Sequence, residues 1–178
     1  MNSGMIKTLI DRTEIERRVH ELGDTISRDY AGRDEPLIVI SILKGAIPFT
    51  ADLIRALTIP VDLEVMVASS YGSGTVSSGE VELEYVSYRS ISNRDVLLVD
   101  DVTDSGYTMA ALVEKMKKAG CRSVRACSLL NKPLRREADV AIDYIGFDVP
   151  DHFLVGYGMD LDQQYRELPD VCYIETEA

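Results

Sequence analysis

The segment VLLVDDVTDSGYT, Val96 to Thr108, passes from an unbroken apolar run through three carboxylates to a Ser-Gly pair and then into a helical pattern. Val96 to Val99 reads as a short strand buried on both faces, and Met109, Leu112, Val113 and Met116 trace one face of the helix that follows. A strand, a loop and a helix in that order put the loop beyond the carboxyl end of a strand, where open α/β sheets bind ligands. Gly106 lets the backbone approach a ligand closely, while Ser105, Thr108 and the free amides of the helix start can donate hydrogen bonds to a phosphate.

Asp100, Asp101 and Asp104 beside an anion pose a conflict, because like charges about 4 Å apart repel by about 1 kcal/mol in water and by more in a cleft. Separate roles remove it. Asp100 and Asp101 can accept hydrogen bonds from sugar hydroxyls and help hold a magnesium-bound sugar, the amides and hydroxyls take the phosphate, and Asp104 is free to handle a proton.

Outward from this segment, apolar runs stay short and are broken by charges, as in an α/β protein. Thr13 and Glu16 form a capping-box pattern, and Ile15, Val19, Leu22 and Ile26 predict a helix from about Thr13 to Asp29. Leu37 to Leu43 predicts a buried strand ending at Lys44-Gly45, and Pro48 opens a helix that runs to Leu57. Val61, Leu63, Val65 and Val67 alternate as a strand that gives way to a long mobile loop over about 69–80. Val81 to Tyr88, Val124 to Leu130, Ile142 to Gly146 and Phe153 to Val155 are the remaining strand candidates, and Gly120 closes the helix that carries Lys117 and Lys118. Strands alternating with helices imply a mainly parallel sheet covered on both faces.

The length of 178 residues fits one domain, since single domains run to roughly 100–200 residues. No stretch approaches the roughly 20 apolar residues of a membrane span, and Met1 to Arg12 lacks a signal-peptide core, so no membrane contact and a cytoplasmic location are expected. Cys121, Cys127 and Cys172 are too scattered for a disulfide framework and read as structural thiols. A net charge of −11 opposes contact with nucleic acid, which needs clustered Lys and Arg. Gly74 to Gly79 is followed by Glu80 where a P-loop requires Lys, and His20 and His152 are too separated for a metal cluster and read as solvated.

Taken whole, VLLVDDVTDSGYT resembles the phosphoribosyl diphosphate signature of type I phosphoribosyltransferases, and the chain resembles their hypoxanthine-guanine branch from about Thr8 to Ile174. The resemblance implies a Rossmann-like α/β fold, its mainly parallel sheet flanked by helices, with a small hood formed by the terminal segments and including about 150–170. It assigns Asp100, Asp101, Asp104, Ser105, Gly106, Tyr107 and Thr108 to the donor's ribose phosphate, with Asp104 as the catalytic residue near purine N7. SILKGAIPF resembles the family's diphosphate turn, in which the Leu-Lys peptide is often cis, and carries over as Leu43, Lys44 and Gly45. SSYGSG is similar to the loop that folds over bound substrates, giving Ser70 and Tyr71. LLNKP places Lys132 where the family's Lys donates to a purine 6-oxo group, a donor that disfavours adenine.

PDHFLVGYGMDLDQQYRELP looks like the base-binding segment: Phe153 stacks on the purine, the Leu154 backbone reads the base edge, Asp160 holds a second magnesium through water, and Arg166 reaches the diphosphate. Asp100 stands where the family often has Glu, and Leu161 where an aromatic is frequent. The implied activity is transfer of the phosphoribosyl group from phosphoribosyl diphosphate to a 6-oxopurine with Mg2+, by a homodimer or homotetramer. Alternatives are a xanthine- or pyrimidine-preferring enzyme of the same family and a nucleotide-sensing, RNA-binding regulator, which the acidic balance disfavours.

Overall fold

A computed structural model describes residues 5–70, 81–86 and 90–175, without the side chains of 68–70 and 81–86. A six-stranded sheet runs in the order β4-β3-β2-β5-β6-β7. Its strands are β2 (Leu37–Leu43), β3 (Val61–Ser70), β4 (Val81–Val86), β5 (Asp95–Thr103), β6 (Ser123–Asn131) and β7 (Tyr144–Asp148). All neighbours pair in parallel except β3 with β4.

Alternation along β5 organises the core. Leu97 and Val99 pack with Leu37, Val39, Phe49 and Leu53 under α1 (Arg12–Asp29) and α2 (Ile47–Ala56), which brings Ile15, Val19, Leu22 and Ile26 into the same cluster. Val96 and Leu98 face the other way, onto Met109, Leu112 and Met116 of α3 (Tyr107–Lys118). Each fully buried Leu or Ile in these layers stabilises the fold by about 1.5–3 kcal/mol relative to exposure.

A second sheet, β1-β9-β8, joins β1 (Met5–Ile10), β9 (Val171–Glu175) and β8 (Leu154–Val155). Met5 pairs with Glu175 and Ile10 with Val171, so the first and last described strands lie antiparallel. Ile10, Leu154 and Val171 belong to the same apolar cluster as the α1 side of the large sheet.

Several boundaries differ from the sequence reading. α1 starts at Arg12 because Asp11 is its cap, its carboxylate accepting the Glu14 N–H at 3.0 Å, so the expected Thr13 capping position lies within the helix. Ser69 and Ser70 are not loop: they pair with Glu82 and Val81 and extend β3. β5 runs on through Asp100 and Asp101 to Thr103, because β6 supplies partners as far as Asn131. The seventh strand begins at Tyr144 rather than Ile142. Residues 71–80, including Tyr71, lie outside the described residues, as does the end of the expected strand at 87–88.

Candidate active site

The strand extension of β5 governs where its acidic residues point. Period-two alternation sends Asp101 toward the hood and Asp100 toward α3. Asp101 accordingly lines a cavity of about 790 Å³ with Leu43, Lys44, Gly45, Lys132 and Phe153. Asp100 lines a smaller cavity of about 240 Å³ with Thr103, Asp104, Ser105, Gly106 and Thr108. The two cavities share Leu43, Val102 and Asp104, which stand on the rim between them.

Burial pushes the Asp100 carboxyl well above the usual carboxylate range, and the neighbouring Asp101 adds to the push. Burial raises Asp101 as well, against the smaller opposing effects of its hydrogen bonding with Asp100 and the Val102 N–H and, least, of the Arg166 charge. The Asp100 carboxylate accepts the Asp101 N–H at 3.1 Å, and that of Asp101 accepts the Val102 N–H at 2.9 Å. Among the described residues no three His, Cys, Asp or Glu side chains converge as a metal-binding group. Two hard, adjacent carboxylates fit magnesium in its usual manner, in which one or two protein carboxylates share the ion with substrate oxygens.

The smaller cavity is built by the start of α3. Gly106 caps that helix with φ 87°, a left-handed conformation that suits glycine, and a Cβ there would meet the Arg136 Cδ at 2.8 Å. Thr103 Oγ1 is buried and has no hydrogen-bond partner among the described residues. Tyr107 points elsewhere, its phenol donating to Glu137 at 3.2 Å, which leaves only its backbone at the helix start.

The Leu43-Lys44 peptide is cis. Gly45 follows it, and a Cβ at Gly158 would lie 2.2 Å from the Gly45 carbonyl, so the β2 turn and the segment after β8 are in direct backbone contact. That segment is folded on itself: Gly158 N–H donates to the Arg166 carbonyl at 3.1 Å and Arg166 returns a bond to Gly158 O at 2.7 Å. Tyr157, Asp162, Gln163 and Tyr165 all take left-handed backbone there, as segments held for function often do. Arg166 also pairs with Asp160 at 2.7 Å, while the other Asp160 oxygen accepts the Gln163 N–H at 2.8 Å.

On the opposite wall, Lys132 is buried, and its ammonium donates to the His152 carbonyl at 2.8 Å. It lies 3.7 Å from Asp104 Oδ2 and 3.6 Å from Asp151 Oδ1. Phe153, 55% exposed, and Leu154 border the same cavity. His152 is not merely solvated, since its ring stacks on Tyr173 with centroids 4.6 Å apart. The three cysteines are free thiols.

The structure therefore gathers Leu43, Lys44, Gly45, Asp101, Asp104, Lys132, Phe153, Leu154, Asp160 and Arg166 around one cavity, and Asp100, Ser105, Gly106 and Thr108 around its neighbour. Ser70 is described by its backbone alone. Sequence reasoning passed over Thr103, Arg135 and Asp151, although Arg135 follows Lys132 by three residues and Asp151 directly precedes His152.

A mainly parallel sheet whose strand-end turns bring together an acidic pair, a helix N-terminus and a wall of paired charges defines an α/β ligand-binding cleft. The family model described as a phosphoribosyl transferase domain matches residues 5–162, and the chain belongs to that family. It is 42% identical to the hypoxanthine-guanine phosphoribosyltransferase of Bacillus subtilis, over 95% of this chain and 93% of that protein. The crystal structure of a hypoxanthine-guanine phosphoribosyltransferase from Bacillus anthracis superposes with a TM-score of 0.88 at 38% identity, covering 94% of this chain and 98% of that one. The bifunctional protein TilS/HprT of Listeria monocytogenes is 40% identical over 99% of this chain, which spans 27% of that longer protein. No described helix is long and apolar enough to cross a membrane.

Proposed function

We propose that this chain is a purine-salvage enzyme that transfers the 5-phosphoribosyl group from phosphoribosyl diphosphate to N9 of hypoxanthine or guanine, giving IMP or GMP and diphosphate. The observation that carries the reading is the pairing of Lys132 Nζ with Asp104 Oδ2, 3.7 Å apart at the cavity wall. A donor beside an acceptor is the complement of a 6-oxopurine edge that presents O6 next to a protonated N7. Adenine would present a donor to Lys132, and a pyrimidine has no N7 for Asp104.

In this reading Phe153 stacks on the base, the Leu154 backbone reads its edge, and Asp104 takes or stabilises the N7 proton as N9 attacks the anomeric carbon. Ser105, Gly106, Thr108 and the Tyr107 amide hold the 5-phosphate, with the unpartnered Thr103 hydroxyl beside them. Asp100 and Asp101 bind the ribose hydroxyls and would hold Mg2+, and Asp160 would support a second ion. Bound Mg2+ supplies positive charge against the leaving diphosphate. Lys44, the Leu43-to-Gly45 backbone and Arg166 orient that diphosphate, with the whole chain as one domain.

Exposed apolar side chains on one face of β3, Leu63, Val65 and Val67, with Ile47 of α2, support assembly as a homodimer or homotetramer. The free thiols suit a reducing cytoplasm. The test is incubation with phosphoribosyl diphosphate, Mg2+ and each of hypoxanthine, guanine, xanthine, adenine and uracil, following the nucleotide formed. Product from hypoxanthine or guanine is expected; product from adenine alone, or from uracil alone, would overturn the reading.

A further inference from the structure

Asp104 is held by two consecutive arginines. Arg136 Nε donates to the Asp104 carbonyl at 3.3 Å, and Arg136 Nη2 donates to the Asn131 side chain, which fixes the main chain of the loop. The Glu137 and Ala138 N–H groups both donate to the Ser105 carbonyl at 3.0 Å, so residues 136–138 clasp the turn that carries Asp104. Arg135 takes the side chain instead: its Nε lies 3.0 Å from Asp104 Oδ1, an ion pair without the alignment of a hydrogen bond.

Arg135 does not swing freely on its half-exposed stem. Its Nη1 donates to Asp151 Oδ1 at 3.2 Å, and the single 3-10 turn Pro133–Arg135 roots it, the Arg135 N–H donating to the Lys132 carbonyl at 3.1 Å. Lys132 in turn donates its N–H to the Thr103 carbonyl at 3.0 Å. Asp104, Lys132, Asp151 and Arg135 thus alternate in sign around a closed ring, each cation shared by the same two carboxylates.

We propose that Arg135, anchored by Asp151, is a positioning residue for Asp104: it occupies Oδ1 and so presents Oδ2 beside the Lys132 ammonium, toward the base. The inference rests on the nucleobase role of Asp104 proposed above. Without Arg135 the Asp104 carboxylate is free to turn and to pair fully with Lys132, which removes the acceptor from the base edge and occupies the donor. Misplacement of a reacting group by about 1 Å costs on the order of 100-fold in rate.

The experiment measures steady-state kinetics of Arg135→Ala, Arg135→Lys and Asp151→Asn, each alone and combined with Asp104→Asn, with melting curves to verify folding. Arg135→Ala is expected to lower kcat by about 10- to 100-fold while leaving the donor KM within about 2-fold. Added guanidinium chloride at low millimolar concentration should restore part of the lost turnover, and Arg135→Lys should keep more activity than Ala. On the Asp104→Asn background the same Arg135 change should cost nothing further, because the residue acts through a carboxylate already removed. Full additivity of the two losses, or a rise in the donor KM with kcat preserved, would overturn the assignment. Arg135→Lys decides the same way if the alanine variant does not fold. Parent turnover with hypoxanthine is measured alongside, so failure of the salvage reading appears in the parent enzyme and failure of the positioning role only in the variants.

Discussion

Gly45 packs directly against Asp101: a Cβ at Gly45 would stand 1.7 Å from Asp101 Oδ2 and 2.7 Å from its Cγ. The turn after β2 and the acidic end of β5 are therefore fitted to each other with no room for a methyl group. Gly45→Ala must push the Asp101 carboxylate out of place while leaving the core untouched. The donor KM is expected to rise by about 10-fold or more, with a melting temperature within a few degrees of the parent. An unchanged donor KM would show that Asp101 shifts without consequence.

Lys132→Gln keeps a donor of shorter reach but removes the charge shared by Asp104 and Asp151. The KM for hypoxanthine should rise by at least about 10-fold, since a charge-assisted hydrogen bond contributes roughly 1.5–3 kcal/mol. Discrimination against adenine should fall in the same variant. Initial rates with both bases at saturating donor read both effects.

Asp104→Asn preserves shape and one acceptor but not the carboxylate. Donor binding, followed by protection against thermal unfolding, should persist, and kcat should fall by about 10²- to 10⁴-fold. Parent-like turnover would remove Asp104 from proton handling.

Asp95 supplies a test of stability remote from the cleft. It is buried at the start of β5 and accepts from Arg122 at 3.1 and 2.7 Å and from Ser123 Oγ at 2.6 Å. The Arg122 hydrogen bonds hold its carboxyl below the usual range despite burial, which opposes them. Folding therefore favours the ionised form: its contribution is complete above the ordinary carboxylate range and is lost as pH falls through the lowered native value. Asp95→Asn should destabilise the protein by about 2–3 kcal/mol near neutral pH, and the gap from the parent should narrow in acid. Urea titrations across that range measure it.

Most of the central sheet could be read from sequence because its strands are either near-continuous apolar runs, as in Leu37 to Leu43, or clear alternations, as in Val61 to Val67. The helices were legible through Ile15, Val19, Leu22 and Ile26 and through Met109, Leu112 and Met116, whose spacing burial repeats. β1 and β9 were not read as strands: MIKTLI and VCYIE are short and mostly exposed along β1, and β9 finds its partners only in the fold, β1 from across nearly the whole chain and the two-residue β8. The ends of β3 and β5 were misjudged because polar residues such as Ser70 and Asp100 stay in strand when a neighbour offers a ladder. Motif residues of the site carried their own signal; Arg135 and Asp151 did not, since an arginine and an aspartate gain meaning only when the fold brings them to Asp104.

The antiparallel register of Met5 with Glu175 makes the hood a seam between the first and last described strands. A circular permutant that bridges those two strands with a short linker and opens at an exposed turn elsewhere would keep every ladder of the small sheet. Trimming the first ten residues would instead unzip β9 on one edge, and β8, which sets Leu154 at the cavity, would be left leaning on a frayed support.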